Sequence, residues 1–311
     1  MAALPRISIL LPLYNEKDSV VELYERVRDV MQPLEPRFEI LFVDDGSTDG
    51  SAALMNSVFE TDSRVRILRF RRNFGKAAAL AAGFATARGE IIVTLDGDLQ
   101  NPPEEIPRLV AKIDEGNEVV GTWREDRHDP AFRRAASRVI NRLTSAAVGV
   151  DMHDYGCMLR AYRRHVVDQI VDCDERSSFI PALANSLAKR TAEIEVGHAE
   201  RAGGTSKYSV LRLMRLFFDL ITGFSLLPIQ LMSVTGILVA LVGMGFGVFL
   251  LIRRFFVGPE VEGVFTLFAI LFVFIGILIL AVGLVGEYVG RIYLEVRRRP
   301  TYRIRAIHQS R

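Results

Sequence analysis

The chain lacks the glycine fingerprints that hold nucleotides through backbone amides. No Gly-x-Gly-x-x-Gly follows the first apolar run, and no Gly-x-x-x-x-Gly-Lys-Ser/Thr occurs anywhere, which weighs against a dinucleotide-dependent dehydrogenase and a P-loop ATPase. Cysteine is scarce: Cys157 and Cys173 are the only two, and in a reducing compartment they are not expected to pair. Charge is absent from two stretches, Leu220 to Ile252 and Gly263 to Gly286. Each exceeds the roughly 20 residues that cross about 30 Å of hydrocarbon as a helix. The first 200 residues, by contrast, mix charged and apolar positions as a soluble domain does, with no internal repeat and no low-complexity segment.

Met1 to Tyr14 is too short an apolar stretch for a cleavable signal and runs directly into strand-like sequence, so the soluble part is expected to stay in the cytoplasm. Arg212 and Arg215 precede the first apolar stretch, and Arg291, Arg297, Arg298, Arg299, Arg303 and Arg305 follow the second. Both flanks therefore read as cytoplasmic, although the intervening hairpin carries two arginines against two glutamates. The formal net charge of +2 hides this concentration of basic residues near the membrane, where anionic headgroups attract them. The expected organisation is a soluble domain over 1–208, an amphipathic interfacial connector over 209–228, two spans within 229–290 (about 229–252 and 264–287), and a basic cytoplasmic tail over 291–311. In the connector, Leu211, Met214, Phe217, Phe218 and Ile221 share one side, which suits a helix in the interface, with an ordinary packed helix as the alternative. Gly243, Gly245 and Gly247 fall inside the first span, where close helix packing is their expected use.

In the soluble part, short apolar runs alternate with amphipathic stretches, the pattern of βαβ units and a mostly parallel sheet. Ile7 to Leu13, Glu39 to Val43, Val65 to Phe70, Ile91 to Leu95 and Glu118 to Gly121 read as strands. Ser19 to Met31, Ser51 to Glu60, Lys76 to Ala87, Glu104 to Glu115 and Phe132 to Val148 read as helices. Such sheets bind ligands at the carboxyl ends of their strands, and those ends are polar here. Pro12, Tyr14, Asn15 and Glu16 follow the first strand, Asp44 and Asp45 the second, Asn73 to Lys76 the third, and Asp96, Gly97 and Asp98 the fourth.

Carboxylates gathered on one rim repel one another unless a cation or a hydrogen-bonding ligand sits among them. Asp96 and Asp98 bracket a glycine, and alternation along an extended segment places both on one side. Hard oxygen ligands of this kind suit Mg²⁺ or Mn²⁺, completed by substrate phosphates. For Asp44 and Asp45 two compatible uses stand: accepting hydrogen bonds from a nucleobase imide or ribose, and an Asx-type turn before the helix at Ser51. Lys76 either brings an ammonium to an anionic ligand or is simply solvated.

With these residues in place, the chain resembles the family 2 glycosyltransferases of GT-A fold. The likeness rests on Pro12, Tyr14, Asn15 and Glu16, on Asp44, Asp45, Gly46 and Ser47, and on the loop of Asp96, Gly97 and Asp98, where Gly97 replaces a customary alanine. The run Asp154 to Arg164, the triplet Glu175, Arg176 and Ser177, and Gly204 to Ser209 are similar to bacterial undecaprenyl-phosphate 4-deoxy-4-formamido-L-arabinose transferases. Gly286 to Tyr293 matches polyprenyl-phosphate glycosyltransferases more broadly, whereas Gln230 stands where an arginine is common.

The resemblance implies an α/β, Rossmann-like GT-A domain of mostly parallel sheet, followed by interfacial helices and two C-terminal transmembrane helices. It also implies inverting transfer of the formamido-arabinose from its UDP donor to undecaprenyl phosphate at a bacterial inner membrane. That product would serve lipid A modification and resistance to cationic peptides such as polymyxin. A homotetramer among membrane lipids is implied, and no nucleic-acid partner is expected. Asp98, assisted by Asp96, would hold the metal and donor diphosphate, with Pro12, Tyr14, Asn15, Glu16, Asp44, Asp45, Lys76 and Gly97 around the nucleotide sugar. Arg124, Arg133 and Ser137 would grip the lipid phosphate, Arg201, Ser206 and Lys207 would close over the diphosphate, and Asp154 matches the catalytic base. A phosphate monoester already carries about −1.5 to −2 charge at neutral pH, so Asp154 can equally serve to orient an arginine or the donor sugar, with positioning dominant. Glucosyl and mannosyl donors suit the same architecture, and a non-catalytic scaffold is the rival of another class. A processive synthase is disfavoured, because the only tryptophan is Trp123 and no Gln-x-x-Arg-Trp segment occurs.

Overall fold

A computed structural model describes residues 4–124, 157–173, 180–197, 227–257, 264–296 and 302–309. The chain forms two compact units, Met1–Ser209 with Arg299–Arg311, and Val210–Arg298. The first is built around an eight-stranded mixed sheet.

In chain order its elements are β1 (Ile7–Leu13), α1 (Val20–Leu34), β2 (Phe38–Asp44), α2 (Ser51–Thr61), β3 (Val65–Phe70), α3 (Lys76–Thr86) and β4 (Ile91–Thr94). A 3₁₀ turn (Pro103–Glu105), α4 (Ile106–Asp114) and β5 (Val119–Arg124) follow. Then come β6 (Arg160–Arg163), α5 (Arg164–Asp172), α6 (Ile180–Leu187) and β7 (Thr191–Val196). The sheet order is β7-β5-β6-β4-β1-β2-β3, closed by a last strand β8 (Ile304–His308).

Ile7, Ile9, Leu10, Leu11 and Leu13 of β1 are all essentially inaccessible, as a central parallel strand covered on both faces must be. Alternation sorts them. Ile7, Ile9, Leu11 and Leu13 pack with Leu23, Val27 and Met31 of α1 and Leu109 and Ile113 of α4. Leu10 faces the opposite layer, with Leu80 and Phe84 of α3, Val166 and Val167 of α5 and Leu183 of α6. The result is a three-layer α/β/α sandwich. β1 pairs in parallel with both β2 and β4, so the order runs outward in opposite directions from there. A crevice outside the carboxyl ends of β1 and β4 is the outcome.

The five expected strands and four of the five expected helices are present, their ends coinciding or shifted by up to three residues; the helix expected over 132–148 lies outside the described residues. Strands β6 and β7 and helices α5 and α6 carry no strand or helix expectation from the sequence. β6 is antiparallel to both β4 and β5, and its Arg-Ala-Tyr-Arg sequence shows no apolar alternation to announce it.

The expected basic tail over 291–311 is corrected at two places. The second apolar helix continues to Val296, and Ile304–His308 forms an edge strand antiparallel to β3. Ile304 and Ile307 remain 38% and 49% exposed, so backbone pairing rather than burial places β8, and a basic, weakly patterned sequence gives no hint of it. The connector over 209–226 lies outside the described residues.

In the second unit, α7 (Leu227–Val257) and α8 (Val264–Val296) contain windows long and apolar enough to cross a membrane, Ile229–Phe249 and Val273–Gly290. Neither window is buried within the protein. Of the three glycines expected to pack, Gly243 does: a Cβ there would lie 3.1 Å from the ring of Phe274, whereas among the described residues nothing lies within 4 Å of a Cβ at Gly245 or Gly247.

Candidate active site

Four loops at the carboxyl ends of β1, β2, β3 and β4 enclose a cleft of about 290 Å³. The β1 loop contributes Pro12, Leu13, Tyr14 and Glu16, the β2 loop Asp45, the β3 loop Asn73, Gly75 and Lys76, and the β4 loop Asp96, Gly97 and Asp98. Eight of the ten residues expected around the nucleotide sugar therefore meet in one place. Asp44 and Asn15 do not.

Asp44 is fully buried and both its oxygens are engaged internally. Oδ2 accepts from Arg69 Nε at 2.9 Å and Oδ1 from the Ser47 N–H at 2.8 Å, while the Arg69 guanidinium also donates to the Ala52 carbonyl and Asn56 Oδ1. A carboxylate so enclosed cannot contact a nucleotide; it fixes the turn into α2. Asn15, at φ 56°, ties loop to loop instead of lining the cleft. Its Oδ1 accepts from the Thr48 N–H at 2.8 Å, and its own N–H donates to Ser47 Oγ. The Glu16 N–H donates to Ser51 Oγ and the Lys17 N–H to Asp49 Oδ2. These clips hold Tyr14 and Glu16 at the rim, and Ser47, Asp49 and Ser51 were missed as their holders. The only sequence signal was the density of small hydroxyl and carboxyl side chains in a turn.

Gly46 shows why this turn needs glycine. It sits at φ +74°, and a Cβ would lie 2.5 Å from the Arg72 carbonyl carbon. That close approach brings the β2 and β3 loops together. Asp45, 3% exposed, then accepts from the Phe74 N–H at 2.7 Å and the Gly75 N–H at 2.9 Å. Burial pushes its carboxyl above the ordinary range, the two N–H groups oppose the rise, and the neighbouring Asp44 adds to it.

β4 ends at Thr94, and Gly97–Leu99 bends, so the two loop carboxylates are brought to the cleft by a turn and not by strand alternation. Asp98 Oδ1 accepts from the Gln100 N–H at 3.2 Å, and Leu99 takes φ 59°, a conformation costly for a leucine and typical of functional loops. Its buried side chain anchors the turn in the core. Gly97 packs tightly: a Cβ would meet Leu13 Cδ2 at 2.4 Å. Lys76, at the first position of α3, forms an ion pair with Asp96, so its ammonium is engaged in the cleft and not merely solvated. Behind the loop, buried Asn101 accepts a hydrogen bond from Cys157 Sγ, which also contacts Thr122 Oγ1 at 2.8 Å. This tie between the β4 loop and the strand pair β5–β6 was not anticipated from the sequence.

Two carboxylates on one turn, with no larger group of metal-ligating side chains among the described residues, fit an ion that takes its remaining oxygens from substrate phosphates. Asp154, Arg133, Ser137, Arg201, Ser206 and Lys207 lie outside the described residues; Arg124 closes β5, its side chain likewise outside them.

The profile described as glycosyl transferase family 2 matches residues 8–171. The chain belongs to this family. Its undecaprenyl-phosphate 4-deoxy-4-formamido-L-arabinose transferase relatives include that of Klebsiella pneumoniae subsp. pneumoniae, 50% identical over 305 residues covering 97% of this chain and 93% of the relative. The transferase so named from Aeromonas hydrophila is 49% identical over 307 residues, 98% of this chain and 94% of its own. Glucosyl-3-phosphoglycerate synthase from Mycobacterium tuberculosis shares the fold, with a TM-score of 0.51 at 19% identity over 71% of this chain and 80% of that one. The protein is thus a GT-A glycosyltransferase, and the cleft between β1 and β4 is its candidate active site.

Proposed function

We propose that this glycosyltransferase moves 4-deoxy-4-formamido-L-arabinose from its UDP donor to undecaprenyl phosphate at the cytoplasmic face of a bacterial inner membrane. The observation that carries this reading is the 50% identity that runs through nearly the whole chain, both apolar helices included, to transferases named for that reaction. The cleft supports it chemically. Asp96 and Asp98 would hold Mg²⁺ or Mn²⁺ together with the donor diphosphate, and such an ion neutralises charge on the departing diphosphate. Lys76 sits beside Asp96 and adds a second cation to the same corner. Tyr14, 44% exposed at the rim, and the carboxyl of Asp45 line the same cleft and suit a base and its ribose.

The acceptor phosphate is already an anionic nucleophile at neutral pH, so one in-line displacement with inversion needs alignment more than deprotonation. Arginines suit that acceptor because their planar forks bind phosphate at two points. The chain leaves its catalytic unit for an apolar hairpin and returns to it through β8, which supports an even number of crossings and both ends of the hairpin on the catalytic side. The test is mass spectrometry of the lipid formed from undecaprenyl phosphate and a panel of UDP-sugars. A single formamido-arabinosyl group on the lipid phosphate is expected. Use of a UDP-hexose with rejection of the formamido-arabinose donor would overturn the substrate assignment.

A further inference from the structure

The strand that closes the sheet reaches the donor cleft through a row of rings. β8 pairs with β3 from Ile67 and His308 to Phe70 and Ile304, the register slipping between Arg69 and Phe70. Just beyond the slip the Arg71 N–H donates to the Arg303 carbonyl at 3.1 Å. There the ring of Tyr302 stacks on Phe70, centroids 5.2 Å apart and planes within 9°. Phe70 is buried and meets Phe74 edge-on at 5.7 Å, and the Arg72 guanidinium caps the Phe74 ring at 4.9 Å. The same Phe74 gives its N–H to Asp45, Gly75 does likewise, and Lys76 pairs with Asp96. One unbroken set of contacts, all within the catalytic unit, therefore runs from Tyr302 to Asp45, Gly75, Lys76 and Asp96, which line the cleft.

The loop it braces is held from the β2 side by Asp45 and by the close approach of Gly46 to Arg72. Residues 71–75 form no helix or strand, and α3 begins after Gly75 at φ 96° without a side-chain cap. Such a loop takes its shape from tertiary contacts, and the rings of Phe70 and Tyr302 supply those to Phe74.

We propose that Tyr302 is a positioning residue for the nucleotide subsite: its ring sets the 71–75 loop, which holds Asp45 of the β2 loop through two N–H groups and leads into Lys76. This rests on reading the cleft as the donor site. Donor affinity is then sensitive to the stacking of Tyr302 on Phe70 rather than to the seating of the strand as a whole.

The test compares UDP binding with Mn²⁺ by calorimetry on the full-length protein in detergent, for wild type, Tyr302→Phe, Tyr302→Leu, Tyr302→Ala and Gln309→Ala. Gln309 lies at the far end of the strand's contacts, accepting from Arg88 at 2.8 Å and Arg66 at 3.3 Å, so its loss loosens the strand without touching the rings. Losing the stacked ring in the alanine or leucine variant is expected to weaken UDP binding by about two- to tenfold, while phenylalanine restores it. Gln309→Ala is expected to bind UDP like wild type, and turnover of Tyr302→Leu at saturating donor should change by less than about twofold, a KM effect without a kcat effect. Folded Tyr302→Leu with wild-type UDP affinity would overturn the proposal, as would equal weakening by Gln309→Ala. Absence of UDP binding by the wild type would instead sink the donor-site reading beneath it.

Discussion

Replacing Asp44 by alanine separates a structural carboxylate from a ligand-binding one. In the protein Asp44 is 0% exposed and its partner Arg69 is 18% exposed at the side chain, so the pair lies well inside the surface. Truncating one member of a buried pair costs about 3–5 kcal/mol, because the other charge is left uncompensated. The Ser47 N–H loses its acceptor as well, worth about 1 kcal/mol more if water cannot reach it. A domain of this size shifts its melting temperature by about 2–4 °C per kcal/mol, so Asp44→Ala should melt at least about 6 °C below wild type. The melt can be followed through the fluorescence of Trp123, the only tryptophan in the chain and a residue of β5. Removing both charges in Asp44→Ala/Arg69→Met leaves no orphaned ion and is expected to recover about half the loss or more. If Asp44→Ala melts like wild type and binds UDP poorly, the internal role assigned here is wrong and the residue belongs to the nucleotide site.

Asp98→Ala should behave in the opposite way, abolishing sugar transfer in the lipid product assay while melting within about 2 °C of wild type, since the side chain is only part-buried on a turn. Near-normal turnover would remove its proposed metal role. Gly46→Ala puts a methyl group against the Arg72 backbone at φ +74°, and a loss of about 2 kcal/mol or more is expected in the same melt. Acid should loosen α1 from the turn between α2 and β3 through Asp62, which Arg64 and the Tyr24 hydroxyl engage. Burial raises that carboxyl, but the bonds from Arg64 and Tyr24 outweigh it and hold it below the ordinary range. Its stabilisation is therefore complete above the unfolded value of about 4 and fades as pH falls through the lower folded value. Asp62→Asn should flatten the fall in melting temperature below about pH 4, and an unchanged slope would refute the assignment.

The parallel half of the sheet was legible because burial on both faces writes itself as apolar runs such as Ile7 to Leu13, and the cleft was legible because such sheets place ligands at strand ends. What escaped has physical reasons of its own. Asp44 and Asp45 are neighbours of one residue type, yet a strand end turns successive side chains to opposite sides, so one is walled in by Arg69 while the other faces the cleft. No composition argument distinguishes them; the guanidinium that does so comes from the adjacent strand, in register at Asp44 and Arg69. Asp96 and Asp98 converge for a reason unlike the expected one, since the buried Leu99 in a left-handed conformation holds a turn where alternation presumed an extended segment. β8 is the clearest case. Its basic, half-exposed residues carry no amphipathic signal, and the edge of β3 recruits them through backbone hydrogen bonds that almost any side chains permit. The residue that gives the segment an address is Tyr302, whose ring finds a flat aromatic face only because Phe70 ends β3 beside the donor loop. Along the sequence it is one aromatic among basic residues; in the sheet it joins β8 to Phe70 and so to the loop before α3.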